Sequence, residues 1–315
     1  MGIENKYTSE DLKAMQAWSL ERKIQVTQTR IIEWYQHWEG QAYVSFSGGK
    51  DSTVLLDLVR RVYPEVEAVF FDTGLEYPEI RNFVKSYNNV RWLRPAMSFP
   101  EVIEKYGYPI ISKDVSDKLY WAMRGSKWAI NQMDGNNCDG SPSEFCKKYA
   151  KWKWLIDAPF KIGSNCCDVM KKGLGTKFHK ESGKHAIVGT MASESVLRRR
   201  HWLQDGCNSF KDGGQSKPMS FWREQDVLEY LRTTRIPYCE VYGDIIEEKG
   251  KLKTTGADRT GCMFCMYGLH FEKEPNRFQT MKKDHPKQYE YCMKPVEDGG
   301  LGLAVVLDYI NVPYK

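Results

Sequence analysis

Tyr43-Val44-Ser45-Phe46-Ser47-Gly48-Gly49-Lys50-Asp51-Ser52 is the stretch whose reading decides the fold. An apolar run ends in Ser47-Gly48-Gly49 and gives way to Asp51-Ser52-Thr53-Val54-Leu55-Leu56-Asp57-Leu58-Val59. That pattern predicts a buried strand, a tight turn and an amphipathic helix. The turn then lies at a helix N-terminus, where unpaired N–H groups and the helix dipole favour an anion. Two glycines allow phosphate oxygens to approach the backbone, and Lys50 adds a full positive charge. Ser47, Gly48, Gly49, Lys50, Asp51 and Ser52 are therefore the candidate phosphate-binding residues. A glycine pair alone would suit an ordinary turn capped by Ser or Asp; the complete six-residue string favours a phosphate cradle. It is not a Walker A loop, whose spacing Gly48-Gly49-Lys50-Asp51 does not supply.

Outward from this loop, strand and helix alternate. Strands are expected at 42–46, 67–71, 90–93 and 185–190, with helices at 53–62, 79–87 and 224–232. This predicts right-handed βαβ crossovers and an α/β fold, a parallel twisted sheet flanked by helices, with ligands at the carboxyl ends of the strands. The second strand closes on Asp72-Thr73-Gly74, an acid-plus-glycine turn at the same edge. Residues 1–40 read as a helical lead-in and 41–270 as the main domain. A loop-rich insertion is expected at about 113–184, where Asp134-Gly135-Asn136-Asn137 and Asp139-Gly140-Ser141-Pro142 are strong turn signals. Residues 271–315 read as a C-terminal helical extension behind a cysteine-bearing region.

The 315 residues suffice for a substantial core, and 41% hydrophobic with 13% aromatic content argues against disorder. A formal charge of +5 welcomes an anionic nucleotide without marking a nucleic-acid-binding protein. No secretory signal pattern and no membrane-length apolar run is present, so a cytoplasmic protein without a membrane partner is expected. In that compartment nine cysteines read as ligands, reactive thiols or buried small residues before disulfides.

Cys262-Met263-Phe264-Cys265 places two thiols within reach of one metal or cluster, and Cys166-Cys167 supplies two more. Structural zinc usually takes separated cysteines, and a vicinal pair bends awkwardly around one small ion. An iron–sulfur cluster accepts such a pair more easily. Zinc, and a buried or reactive pair, remain the alternatives. Cys138, Cys146, Cys207, Cys239 and Cys292 read as structural. The basic and aromatic run Lys147-Lys148-Tyr149 and Lys151-Trp152-Lys153-Trp154 has the composition of a nucleic-acid clamp, and equally that of an exposed flap with packed tryptophans.

The loop resembles the PP-loop of the ATP pyrophosphatase superfamily, and residues 40–270 together resemble the phosphoadenosine phosphosulfate (PAPS) reductase family. The resemblance rests on the loop, on Asp72-Thr73-Gly74-Leu75-Glu76-Tyr77-Pro78-Glu79, Cys166-Cys167, Gly189-Thr190 with Ser193-Glu194-Ser195 and Arg198, Lys217-Pro218-Met219-Ser220-Phe221-Trp222, Asp226-Val227, Ile236-Pro237-Tyr238, and Cys262/Cys265. It implies an adenine-nucleotide site that includes Asp72, Thr73, Gly74 and Gly189, and a 4Fe-4S cluster on Cys166, Cys167, Cys262 and Cys265. Two departures matter. The family's Glu-Cys-Gly-Leu-His nucleophile motif is missing, whereas the phosphate loop keeps its full ATP-cleaving form.

The resemblance and the intact loop together suggest cleavage of ATP with Mg²⁺ to AMP and pyrophosphate, adenylating an acceptor and coupled to iron–sulfur-dependent sulfur chemistry. Lys50, Asp51 and Arg198 are the candidate catalytic residues. Asp51 or Asp72 would help hold Mg²⁺, while Lys50 and Arg198 would neutralise the leaving pyrophosphate. Asp72 as a turn former and Arg198 as a solvated member of Arg198-Arg199-Arg200 are the plainer alternatives. The rival functions are an APS or PAPS reductase that uses another thiol, and a non-catalytic regulatory module. Nucleic-acid or protein sulfur partners and a homo-oligomer are left open.

Overall fold

The computed structural model describes residues 5–211 and 213–315. The chain forms two compact units. The first runs to Asp72 and takes in Glu76–Arg94 and Gly173–Gly261; the second gathers Thr73–Leu75, Pro95–Lys172 and Cys262–Lys315.

The first unit is built on a four-stranded sheet ordered Val90–Leu93, Ala68–Phe71, Ala42–Ser45, His185–Val188. All its pairings are parallel, with Val44 opposite Ala68, Ala68 opposite Val90, and Ala42 opposite His185. Three of the strands are almost wholly buried, and their apolar runs suit a sheet covered on both faces. The chain steps outward from Ala42–Ser45 to one side, then returns with His185–Val188 on the other. The strand order thus reverses beside the glycine-rich turn, the place where such sheets hold ligands.

The helix Lys50–Val62 follows that turn and buries Val54, Leu55, Leu56, Leu58 and Val59. It begins three residues earlier than expected, because Gly49 in extended backbone (φ −75°, ψ 158°) acts as its N-cap. Lys50 and Asp51 therefore belong to the first helical turn. The lead-in forms two helices, Ser9–Gln16 and Leu20–His37, each capped by a hydroxyl, from Thr8 and Ser19. They join this unit's core through Leu12, Ile31 and Trp34.

Polar contacts fix the same junction. Trp222 Nε1 donates to Thr27 Oγ1 at 2.9 Å, and Lys23, 2% exposed, donates to both oxygens of Asp226 at 2.7 Å. Asp226 lies in the helix Glu224–Thr234, so the lysine and the acid satisfy each other where neither could be buried alone.

The second unit is mainly helical. Phe99–Tyr106, Lys113–Ala122 and Lys127–Met133 precede the turn-rich stretch around Asp134–Pro142, and Arg277–Asp284, Pro286–Met293 and Leu303–Tyr309 close the chain. The expected insertion thus carries short helices between its loops. Its Cys166-Cys167 pair is followed directly by a π-helical turn, Asp168–Lys172. A two-stranded parallel ribbon pairs Ile110 with Met266 and Ile111 with Tyr267. Among the described residues, no helix is long and apolar enough to cross a membrane.

Candidate active site

The phosphate loop is a hydroxyl-braced turn. Ser47 N–H donates to Ser52 Oγ at 3.2 Å, the two serine hydroxyls lie 3.0 Å apart, and Ser52 Oγ donates to Gly49 O at 3.0 Å. Gly48 has φ +72°, where a side chain would be strained, and a Cβ there would meet Val84 Cγ2 at 2.7 Å. Gly189, just after the fourth strand, passes so close that a Cβ would meet Asp51 O at 3.2 Å. Two segments distant in sequence are thus brought together by glycines.

Lys50 is 4% exposed, and its ammonium donates to Asp258 O at 2.6 Å and pairs with Glu224 at 3.0 Å. Its backbone N–H donates to Tyr242 Oη at 3.1 Å, and Tyr242 Oη lies 2.6 Å from Thr260 Oγ1. The groups expected to meet phosphate are therefore held by a carbonyl, a carboxylate and a hydroxyl. Each of these is an oxygen that a phosphate oxygen can replace at the same donor.

Asp51 is different. Burial pushes its carboxyl up to about 6, a rise opposed by Lys50 and reinforced by Glu194 and Glu224. Its Oδ1 is buried without a hydrogen-bond partner. Asp72, 4% exposed at the end of the adjacent strand, receives Arg81 and Arg94 on Oδ2 at 3.0 Å each, while its Oδ1 is also buried and unpartnered. Arg198 is half-exposed and paired with Glu194.

Thr73 and Gly74 fall in the second unit, where Leu75 N–H donates to Thr73 Oγ1 at 3.3 Å and Leu75 O accepts from Met263 N–H at 2.8 Å. Leu75 is thereby tied to Met263, one of the two residues between Cys262 and Cys265. Cys166, Cys167, Cys262 and Cys265 line a single pocket with Leu75, Phe99 and Pro109. Cys166 and Cys167 sulfurs are 3.9 Å apart. Cys166 is raised by sharing its proton with Cys167, by burial and by the neighbouring thiols. Cys167 is pulled down to about 6 as the acceptor of that proton, helped by Lys113 and Lys171. Burial raises Cys265, and the phenol of Tyr267 beside these sulfurs has a buried, unpartnered hydroxyl. Among the described residues no three Cys, His, Asp or Glu side chains converge on one metal ion.

Of the cysteines read as structural, Cys146, Cys207, Cys239 and Cys292 are buried, but Cys138 is exposed on the turn-rich stretch. Cys292 donates to Tyr289 O at 3.2 Å, and burial pushes it up to about 12, which makes it a poor nucleophile. Sequence reasoning missed Glu224, Tyr242, Asp258 and Thr260 around Lys50, and Arg81 and Arg94 on Asp72. None of them carries a motif or periodicity that marks it.

The phosphoadenosine phosphosulfate reductase domain model matches residues 41–121 and 126–267. The chain belongs to the PAPS reductase family. An uncharacterized protein of Methanocaldococcus jannaschii is 25% identical over 267 residues, 82% of this chain and 49% of its own length. The adenosine 5'-phosphosulfate reductase of Staphylococcus epidermidis is 28% identical over 97 residues, 29% of this chain and 40% of its own. The chain thus spans half or less of the length of these curated relatives. A solved PAPS reductase from Candida auris, in a phosphate complex, aligns with a TM-score of 0.40 and 13% identity over 79% of this chain and 99% of that one. That likeness is too distant to carry an argument. Family membership makes this a nucleotide-binding domain of the PAPS reductase type.

Proposed function

We propose that the protein cleaves ATP between its α- and β-phosphates, adenylates an acceptor and couples this to sulfur chemistry at Cys166, Cys167, Cys262 and Cys265. One observation carries the reading. Asp51, in the first turn of the helix that follows one strand, and Asp72, just past the end of the adjacent parallel strand, each keep a buried carboxylate oxygen without a hydrogen-bond partner. Unpartnered buried acceptors are costly, and a hard divalent cation satisfies them. A site for a sulfonucleotide alone has no use for two such oxygens, whereas Mg²⁺ with a triphosphate does. These oxygens fit Mg²⁺, which when bound neutralises phosphate charge.

Lys50 exchanges Asp258 O and Glu224 for phosphate oxygens and stabilises the departing pyrophosphate. The acceptor attacks the α-phosphorus, the bond to the bridging oxygen of pyrophosphate breaks, and the acceptor's proton leaves to solvent. Arg81 and Arg94 hold Asp72 in orientation through its other oxygen. The four cysteines line one pocket and have the sulfur donors a 4Fe-4S cluster takes, and such a cluster, when bound, would supply electrons or bind sulfur.

The test is anaerobically prepared protein offered Mg-ATP, APS and PAPS separately. Stoichiometric AMP and pyrophosphate from Mg-ATP is the expected result. Sulfite released from APS or PAPS would replace this reading with a reductase, and binding without turnover would replace it with a regulatory module.

A further inference from the structure

A second pocket in the helical unit lies outside everything described so far. It is an open cavity of about 170 Å³ between the segments around Ile111–Val115, Lys148–Trp152 and His270–Phe271. Cavities of this order hold a single aromatic ring system and are too small for a dinucleotide. Its walls are aromatic. Trp152 meets His270 edge-on at 5.0 Å, and Phe271, 76% exposed, lies 3.9 Å from His270. Its rim is cationic. Lys151 stands 5.1 Å from the Trp152 ring and forms no ion pair among the described residues, and Lys148 sits 3.7 Å from the exposed ring of Phe145.

Polar recognition groups are present as well. His270 Nδ1 is buried with no hydrogen-bond partner, and burial, aided by Lys151, lowers the ring's pKa. A neutral imidazole presents one donor and one acceptor. Asp114 accepts from Tyr149 Oη at 2.5 Å and keeps the floor polar. The backbone at Ile111 has φ +61°, a strained value for a β-branched residue and of a kind that gathers at ligand sites. Stacking faces, cations at the mouth and an unused hydrogen-bonding edge are what an unstacked nucleobase with its phosphate requires.

Position gives the pocket its meaning. Pro109 lines the cysteine pocket and Ile111 lines this one, only two residues further along the chain. On the paired strand Met266–Tyr267, Cys265 precedes and His270 follows. We propose that this pocket receives one unpaired base of a single-stranded nucleic acid and presents that nucleotide toward the four cysteines. The presentation as sulfur acceptor rests on the activity proposed above; the binding of the base does not.

The experiment is fluorescence anisotropy of a labelled single-stranded oligonucleotide, in deoxyribose and ribose forms, with the full chain carrying Lys50→Ala so that the phosphate loop does not compete. Trp152→Ala is expected to weaken binding by ~5–100-fold, the range for loss of one stacked base. Lys151→Ala, a solvent-exposed change that leaves the core untouched, should weaken it several-fold and flatten the salt dependence. Trp121→Ala, an exposed tryptophan outside the pocket, serves as the control and should change nothing. Displacement of the oligonucleotide by AMP at comparable concentration would support the base pocket and assign it to free nucleotide. No binding by the parent, or equal binding by all three variants, overturns the inference, and neither result touches ATP cleavage, which is measured with Lys50 intact.

Discussion

Asp51→Asn is expected to stabilise the protein at neutral pH and to leave it unchanged in acid. In the folded chain burial lifts this carboxyl from 3.8 to about 6. A folded pKa above the unfolded one means that the folded state holds the proton more tightly. The associated stability is complete below about pH 4 and is lost as pH rises through about 6. Two units at about 1.4 kcal/mol each place the loss on the order of 3 kcal/mol by pH 7.5. Asparagine has the same shape and never ionises, so the variant escapes the loss. Urea unfolding of both proteins at several pH values between about 4 and 7.5, followed by tryptophan fluorescence, measures the gap directly. Trp34 and Trp222 are fully buried in the same unit and report on it. The gap should open with rising pH. A gap that is constant with pH, or a variant less stable at pH 7.5, would refute the argument that Asp51 is a strained carboxylate awaiting a cation.

Other outcomes follow from the same geometry. Asp226→Asn leaves Lys23 buried without its counter-charge and should cost about 3–5 kcal/mol of stability, read from denaturant midpoints. Gly48→Ala combines a positive φ with a 2.7 Å approach to Val84, so it should destabilise by about 1–3 kcal/mol and abolish nucleotide binding in calorimetry. Cys265→Ser should remove the brown colour and the iron, about four atoms per chain, from anaerobic preparations. Cys207→Ser, at a buried thiol donated to by Ser220, should keep both; one equivalent of zinc and no iron in the wild type would reverse the assignment.

The sheet was legible because its strands are short apolar runs that end on glycine or acid turns, as at Phe46-Ser47-Gly48 and Phe71-Asp72-Thr73. The four cysteines could be grouped from their spacing and from family resemblance, and the fold does line them along one pocket. What surrounds Lys50 was hidden. Glu224 and Tyr242 reach it from segments nearly two hundred positions away, and a hydroxyl bonded to a backbone amide leaves no periodic trace. Asp72 was marked as a site residue but not its two arginines, since Arg81 and Arg94 are ordinary surface charges until the strand end is placed between them. The insertion's helices escaped notice because four to ten residues among Gly, Asn and Lys rarely develop a helical stripe.

The interleaving of the two units has a consequence for how the chain is made. The strand Ala42–Ser45 finds its partner on one side, Ala68–Phe71, almost at once, but on the other side it must wait for His185–Val188. Between them the ribosome delivers Pro95–Lys172, all of it destined for the other unit. At about 5–20 residues per second, the flank of Ala42–Ser45 stays unpaired for on the order of ten seconds. An open, apolar strand edge of that lifetime is a template for the wrong neighbour. The phosphate turn, whose Asp51 is touched by Gly189 only after that strand arrives, is therefore among the last parts of the first unit to take its final form.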